Sequence, residues 1–242
     1  MPTPKVIDLS HHNTVPNDFT ETKNAGIVGV IHKLTEGSSY VDDKVQARCY
    51  LARQAGLAWG VYHFLRPGNM KQQADFFLST GKALDVIDGK TLLVADHEDA
   101  GVPGQSLKQF LDYLEDATHR SPVVYSGHVL KDQLAGQGYK PKRRLWLCQY
   151  TSGTPSLPEG VDKYWLWQYT DKGSIAGVNS PVDLNHYDLS DADFLASWAG
   201  ATFPTPKPPI PGTAMVELNV SSTVPIELHI TANENVEIIV DE

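Results

Sequence analysis

Through its first half the chain alternates short apolar, strand-like runs with helical segments, and this alternation constrains the fold more than any other feature. Val6-Ile7-Asp8-Leu9-Ser10, Val28-Gly29-Val30-Ile31-His32-Lys33, Gly60-Val61-Tyr62-His63-Phe64, Leu92-Leu93-Val94-Ala95 and Val123-Val124-Tyr125-Ser126 read as strands. Helical patterns lie between them over residues 42–55, 71–84 and 106–119, with Gly56 suited to the position after a helix and Ser106 to an N-cap. Strand and helix alternating about five times signals βαβ units and a parallel sheet.

The second half breaks the pattern. A short helix over 128–134 leads to two runs that echo each other, Trp146-Leu147-Cys148-Gln149-Tyr150-Thr151 and Trp165-Leu166-Trp167-Gln168-Tyr169-Thr170, with no helical pattern between them. Pro181-Val182-Asp183-Leu184-Asn185 reads as one more strand, and residues 191–198 close as a helix. About eight strands predict an α/β fold, an irregular (β/α)-type barrel of about five βα units followed by three strands.

Chemistry in such barrels gathers where the strands end. Asp8, Asp96, Glu98 and Asp183 all read as late in their strands, so these acids are expected at one mouth. Asp96 and Glu98 form the sharpest pair. On an extended strand they share a face, with Cα atoms roughly 6.6 Å apart at ~3.3 Å per residue, while His97 faces the other way. Two acids on one face cannot both ionise cheaply. The upward push on one of them is what a general acid working near neutrality requires, and paired carboxylates are the apparatus of glycoside hydrolysis. The competing reading is a solvated acidic strand end.

A net charge of −9 argues against nucleic acid or an anionic membrane as the main partner. No stretch approaches the roughly 18 apolar residues of a membrane span, and Met1-Pro2-Thr3-Pro4-Lys5 leads into strand sequence without a signal-peptide apolar region. Synthesis in the cytoplasm without a signal peptide is therefore expected, and export would need another route. Cys49 and Cys148 exclude a disulfide framework and read as buried thiols. Glycine-rich phosphate loops and a serine nucleophile elbow are absent from the sequence, and the side chains of adjacent His11 and His12 are expected to diverge. Neither a metal nor a cofactor is expected.

Composition changes at Phe203. Five prolines between Pro204 and Pro211 mark residues 203–212 as an extended linker of about 25 Å at ~3.1 Å per residue. Beyond it, Val216/Leu218/Val220, Ile226/Leu228/Ile230 and Val236/Ile238/Val240 alternate with polar residues. The expected organisation is a catalytic barrel over 1–202, the linker, and a small β-strand tail over 213–242. So short a meander rarely folds alone, which makes the tail a candidate for self-association or particle docking. It carries Glu217, Glu227, Glu234, Glu237, Asp241 and Glu242 and no lysine or arginine, which argues against binding an anionic wall.

The Val6–His12 strand, Gly60–Phe64, the pair in Asp96-His97-Glu98, and Trp167-Gln168-Tyr169-Thr170 followed by Val182-Asp183-Leu184-Asn185 together resemble glycoside hydrolase family 25 over about residues 5–200. That family contains bacterial and phage N-acetylmuramidases, or lysozymes. The resemblance implies an irregular barrel of five βα units and three strands. It implies cleavage of the β-1,4 bond between N-acetylmuramic acid and N-acetylglucosamine in peptidoglycan, with Glu98 matching the general acid and Asp96 the acid beside it. Asp8 and Asp183 match the positions that shape site charge and bond the sugar or its acetamido group. His97 departs from the family, where an aliphatic residue is common, and is expected to sit against a helix.

Tyr62 and Tyr125, near strand ends, are the candidate sugar-stacking residues. Trp167 and Gln168 complete the expected substrate-binding set, although the core is the default place for Trp146, Trp165 and Trp167 alike, with at most one or two of them in contact with sugar. A non-catalytic wall-binding or virion assembly component on the same barrel is the alternative function. A hydrolase of another acetamido sugar polymer such as chitin is a third.

Overall fold

The computed structural model describes residues 2–15, 18–134, 143–151, 153–179 and 181–200. The linker and tail expected at 203–212 and 213–242 lie outside the described residues. The elements in order are β1 (Val6–Leu9), α1 (Thr20–Asn24), β2 (Gly29–Glu36), β3 (Tyr40–Val41), α2 (Val45–Gln54), β4 (Ala58–Phe64), α3 (Met70–Ala83) and β5 (Leu92–Asp96). There follow α4 (Gly104–Thr118), β6 (Val123–Ser126), α5 (His128–Leu134), β7 (Leu145–Cys148), β8 (Leu166–Gly173), β9 (Val182–His186) and α6 (Asp191–Ala196).

β1 closes the sheet, pairing parallel with β2 on one side and antiparallel with β9 on the other. The barrel therefore runs β1-β2-β4-β5-β6-β7-β8-β9, with β3 outside it as an antiparallel extension of β2. Within the barrel β1, β2 and β4 through β8 run parallel, and β9 alone runs against them. The expected α/β barrel is thus present. The sequence pattern missed α1 and β3, which are too short to show a period.

Alternation along each strand divides the core in two. Val6, Ile31, Leu92, Val94, Val123, Trp146 and Leu166 fill the barrel, while Ile7, Val30, Val61, Leu93, Ala95 and Leu147 pack outward beneath Cys49, Ala52, Phe77, Phe110 and Leu114 of the helices. Because both faces are buried, β5 reads as a continuous apolar run.

Local chemistry sets the helix starts. The Asn69 side chain accepts a hydrogen bond from Gln72 N and caps α3, and Ser190 does the same for Asp193 N at α6. Ser106 does not cap α4. That helix starts two residues earlier behind Pro103, whose φ of −63° suits a helix entry and whose carbonyl accepts from the amides of Ser106 and Leu107.

The end of the barrel where the parallel strands begin is plugged by aromatic rings. Phe194 of α6 stacks on Tyr187 at 3.7 Å and on Trp165 at 4.5 Å, and Trp198 donates its indole N–H to the Trp59 carbonyl at 2.8 Å. Gly29 makes room for this plug, since a Cβ there would lie 2.7 Å from the Trp198 ring.

Candidate active site

At the opposite end, Asp8, Tyr62, Asp96, Glu98, Tyr125, Trp146, Tyr150, Gln168 and Asp183 line a cavity of about 210 Å³. Register brings them together. Asp96 pairs with Phe64 on one side and Tyr125 on the other, and Asp8 lies directly across from Asp183. Asp183 stands early in β9, not late as the sequence suggested. It reaches the same mouth because β9 runs antiparallel, so that its beginning lies where β1 ends. Glu98 stands two residues beyond the end of β5, at the solvent-open rim, whereas Asp96 and Asp8 are buried below it.

A hydrogen-bond network fixes the floor. One carboxylate oxygen of Asp8 accepts from Asn185 Nδ2 at 2.8 Å and from Gln168 Nε2 at 3.0 Å. The Gln168 carbonyl oxygen in turn accepts from the hydroxyls of Tyr125 (2.9 Å) and Tyr150 (3.0 Å) and from the Cys148 thiol (3.3 Å). Asn185 Oδ1 accepts from Trp146 Nε1 at 2.6 Å. These bonds set both side-chain amides with nitrogen toward Asp8, which fixes its carboxylate in one orientation. By contrast, Oδ1 of Asp96 is buried without a hydrogen-bond partner among the described residues.

Burial is the main reason the acids depart from ordinary behaviour. It pushes Asp8 well up, reinforced by the neighbouring charge of Asp183 and opposed by the bonds from Asn185 and Gln168. Asp96 is likewise pushed well up by burial and then by Glu98, with Lys33 pulling the other way. Burial raises Glu98, against the Tyr125 hydroxyl, His128 and Lys33. Asp183 is raised to about 6 by burial, then by Asp171 and Glu98. The acids thus form two interacting pairs, Asp8 with Asp183 and Asp96 with Glu98, in which the charge of one member opposes ionisation of the other.

Of the residues singled out from sequence, Asp8, Asp96, Glu98, Asp183, Tyr62, Tyr125 and Gln168 line the cavity. Trp167 does not. Next to Gln168 on β8, it faces outward by the alternation of the strand and donates its N–H to the Gln149 carbonyl at 2.8 Å. Trp146 is buried in the barrel core, as expected, and also has an edge in the cavity. Tyr150 and Asn185 were missed, although both lie within motifs already singled out. His97 is fully buried on the other side of the chain, with Nε2 2.8 Å from the Val102 carbonyl just before α4.

Comparison with known proteins agrees with this arrangement. The family model described as glycosyl hydrolases family 25 matches residues 7–178. Lysozyme M1 of Streptomyces globisporus is 32% identical over 206 residues, covering 78% of this chain and 69% of its own. Among solved structures, the bacterial lysozyme from Streptomyces coelicolor superposes with a TM-score of 0.72 at 28% identity, over 82% of this chain and 99% of that one. The catalytic domain of endolysin ply40 from bacteriophage P40 of Listeria monocytogenes gives 0.66 at 25% identity, over 83% and 98%. With the matched segment covering more than half of the chain, Asp8, Asp96 and Glu98 among it, the chain belongs to glycosyl hydrolase family 25.

Proposed function

We propose that Glu98 is the general acid with which this chain cleaves the β-1,4 bond between N-acetylmuramic acid and N-acetylglucosamine. Membership in the family makes the chain a glycoside hydrolase of the lysozyme type, acting on peptidoglycan. The roles rest on one observation: a carboxylate at the open rim stands over a floor of buried carboxylates.

On this reading Asp96 and Glu98 hold one proton between them in the free protein, because burial opposes ionisation of each and the charge of Glu98 opposes that of Asp96. A sugar seated in the cavity displaces water from Glu98, raises its proton affinity further and sets that proton against the glycosidic oxygen. As the bond breaks, positive charge develops at C1 of the muramic ring, and the carboxylates of Asp96 and Asp183 stabilise it. Asp8, held by Asn185 and Gln168, receives the acetamido group. Water completes the reaction by adding hydroxyl to C1 and returning a proton to Glu98. Tyr62 and Tyr125 offer ring faces and hydroxyls that burial keeps protonated. Trp167, outside the cavity, drops out of the substrate-binding set.

The non-catalytic alternative is not favoured, since the full set of acids is present in one cavity. The test is turbidity loss of purified peptidoglycan with the wild type and Glu98→Gln side by side. The wild type releases new muramic acid reducing ends, and the variant is slower by about 10²–10⁴-fold, the usual contribution of a general acid. Equal rates would remove Glu98 from the chemistry.

The site of action is the cell wall, and no helix among the described residues is long and apolar enough to cross a membrane. Residues 1–202 serve as the catalytic part and 203–212 as a spacer. Residues 213–242 hold chains to one another or to a particle, a reading supported by their three alternating apolar runs.

A further inference from the structure

The mechanism leaves open what decides which acid of the Asp96–Glu98 pair keeps the shared proton. Desolvation alone favours the deeper one, Asp96, and would leave the rim acid without its proton. A cation is placed to oppose this. Lys33 extends from β2 on the inward face, two residues beyond Ile31 in the barrel core, and pairs in register with Tyr62, which in turn pairs with Val94. Its backbone is therefore level with Val94, and its side chain reaches along the inward face to Glu36 and Phe64, which are in register with each other and with Asp96.

Its ammonium is held on three sides. Glu36 forms an ion pair with it, and the rings of Tyr40 and Phe64 lie 5.2 Å and 5.1 Å away as cation–π partners. A β-bulge makes this possible. The β2–β4 register slips between Lys33 and Thr35, so that Leu34 and Thr35 both face the helices and Glu36 returns to the inward face beside Lys33. Glu36 is in turn gripped by Arg66 at 2.7 Å, and Arg66 by Asp99 at 3.0 Å, the residue after Glu98. The chain of charges thus starts on the β5 tail and returns to the acids at that tail.

Building on the muramidase reading above, we propose that Lys33 is a positioning residue: its fixed ammonium holds Asp96 as the carboxylate and so leaves the acid proton on Glu98. The other charged groups acting on the pair do not do this. Asp8 of β1 and Glu36 of β2 add negative charge against Asp96, and Asp183 of β9 is repelled by Glu98. His128 at the start of α5 and the Tyr125 hydroxyl act on Glu98. Among the described residues, Lys33 is the cation that acts on both acids.

The experiment is the pH profile of kcat/KM on peptidoglycan for the wild type, Lys33→Met, Lys33→Gln and Lys33→Arg, with thermal midpoints measured beside it. Loss of the charge moves both limbs to higher pH, the acidic limb further because it reports ionisation of Asp96, and Lys33→Arg restores the wild-type profile. A uniform fall in rate with unmoved limbs in a folded Met or Gln variant overturns the proposal. Should neither fold, Arg66→Met removes only the outer part of the chain of charges, with a smaller upward shift expected and unmoved limbs again overturning it. Side-chain ¹³C titration of Asp96 in the same proteins reads the effect without turnover, and an upward move on loss of Lys33 is the supporting result. A wild type inactive on peptidoglycan would sink the muramidase reading, while this titration would still decide the role of Lys33.

Discussion

His63 lies on the outward face of β4, fully buried, between the Thr35 hydroxyl at 2.7 Å from Nδ1 and the Gln73 amide oxygen at 3.1 Å from Nε2. This pairing suits the neutral ring: Nε2–H donates to Gln73, and Nδ1 accepts from Thr35. Burial, with Phe110 stacked at 5.0 Å, pushes the imidazole down to about 4 from an ordinary 6.5. Between those values the unfolded chain takes up a proton that the folded one refuses. Stability is therefore full above pH 6.5 and falls as the pH drops toward 4, by on the order of 3 kcal/mol for this residue. Asp8 and Asp96 act in the opposite sense, because their raised values cost stability as the pH rises through them. The difference between wild type and His63→Gln cancels that contribution. Thermal midpoints taken from pH 7 to pH 4 should show a shallower fall in the variant, and parallel curves would exclude His63 as a source of acid sensitivity. Alternation along Gly60–Phe64 already places Tyr62 and His63 on opposite faces. Which face looks into the barrel is not local information, and the same ambiguity misplaced Trp167.

The short last helix does more for the fold than its length suggests. Phe194 of α6 is completely buried in the plug formed with Tyr187, Trp165 and Trp198. Truncating it opens a void that rings held by hydrogen bonds cannot collapse to fill, because Trp165 Nε1 is bonded to Ser197 Oγ and Trp198 Nε1 to Trp59 O. Phe194→Ala is expected to destabilise by about 3–5 kcal/mol in urea unfolding, and a change below about 1 kcal/mol would mean that the plug is dispensable. The helical pattern at 191–198 was visible in the sequence, but its task was not, since the partners lie on distant strands. The reversal of β9 was hidden in the same way. A five-residue strand reads alike in either direction, and only its pairing with β1 carries Asp183 to the mouth.

For the molecule as a whole, the residues Met1–Ala201 form one compact unit. If residues 213–242 join chains through their alternating apolar faces, sedimentation will give the full chain a mass above the monomer and a version ending at Ala201 the monomer mass. Identical monomer masses would remove self-association and leave particle docking. By itself the sequence determined the barrel class, the acids and most of their partners, because strand and helix periods and the position of a carboxylate at the end of an apolar run are properties of neighbouring residues. The closure through β1, the inward turn of Trp146, and the bulge that sets Lys33 beside Glu36 were decided by the tertiary structure alone. Each depends on pairing between strands far apart in the chain, where register and direction, not residue type, set which side chains meet.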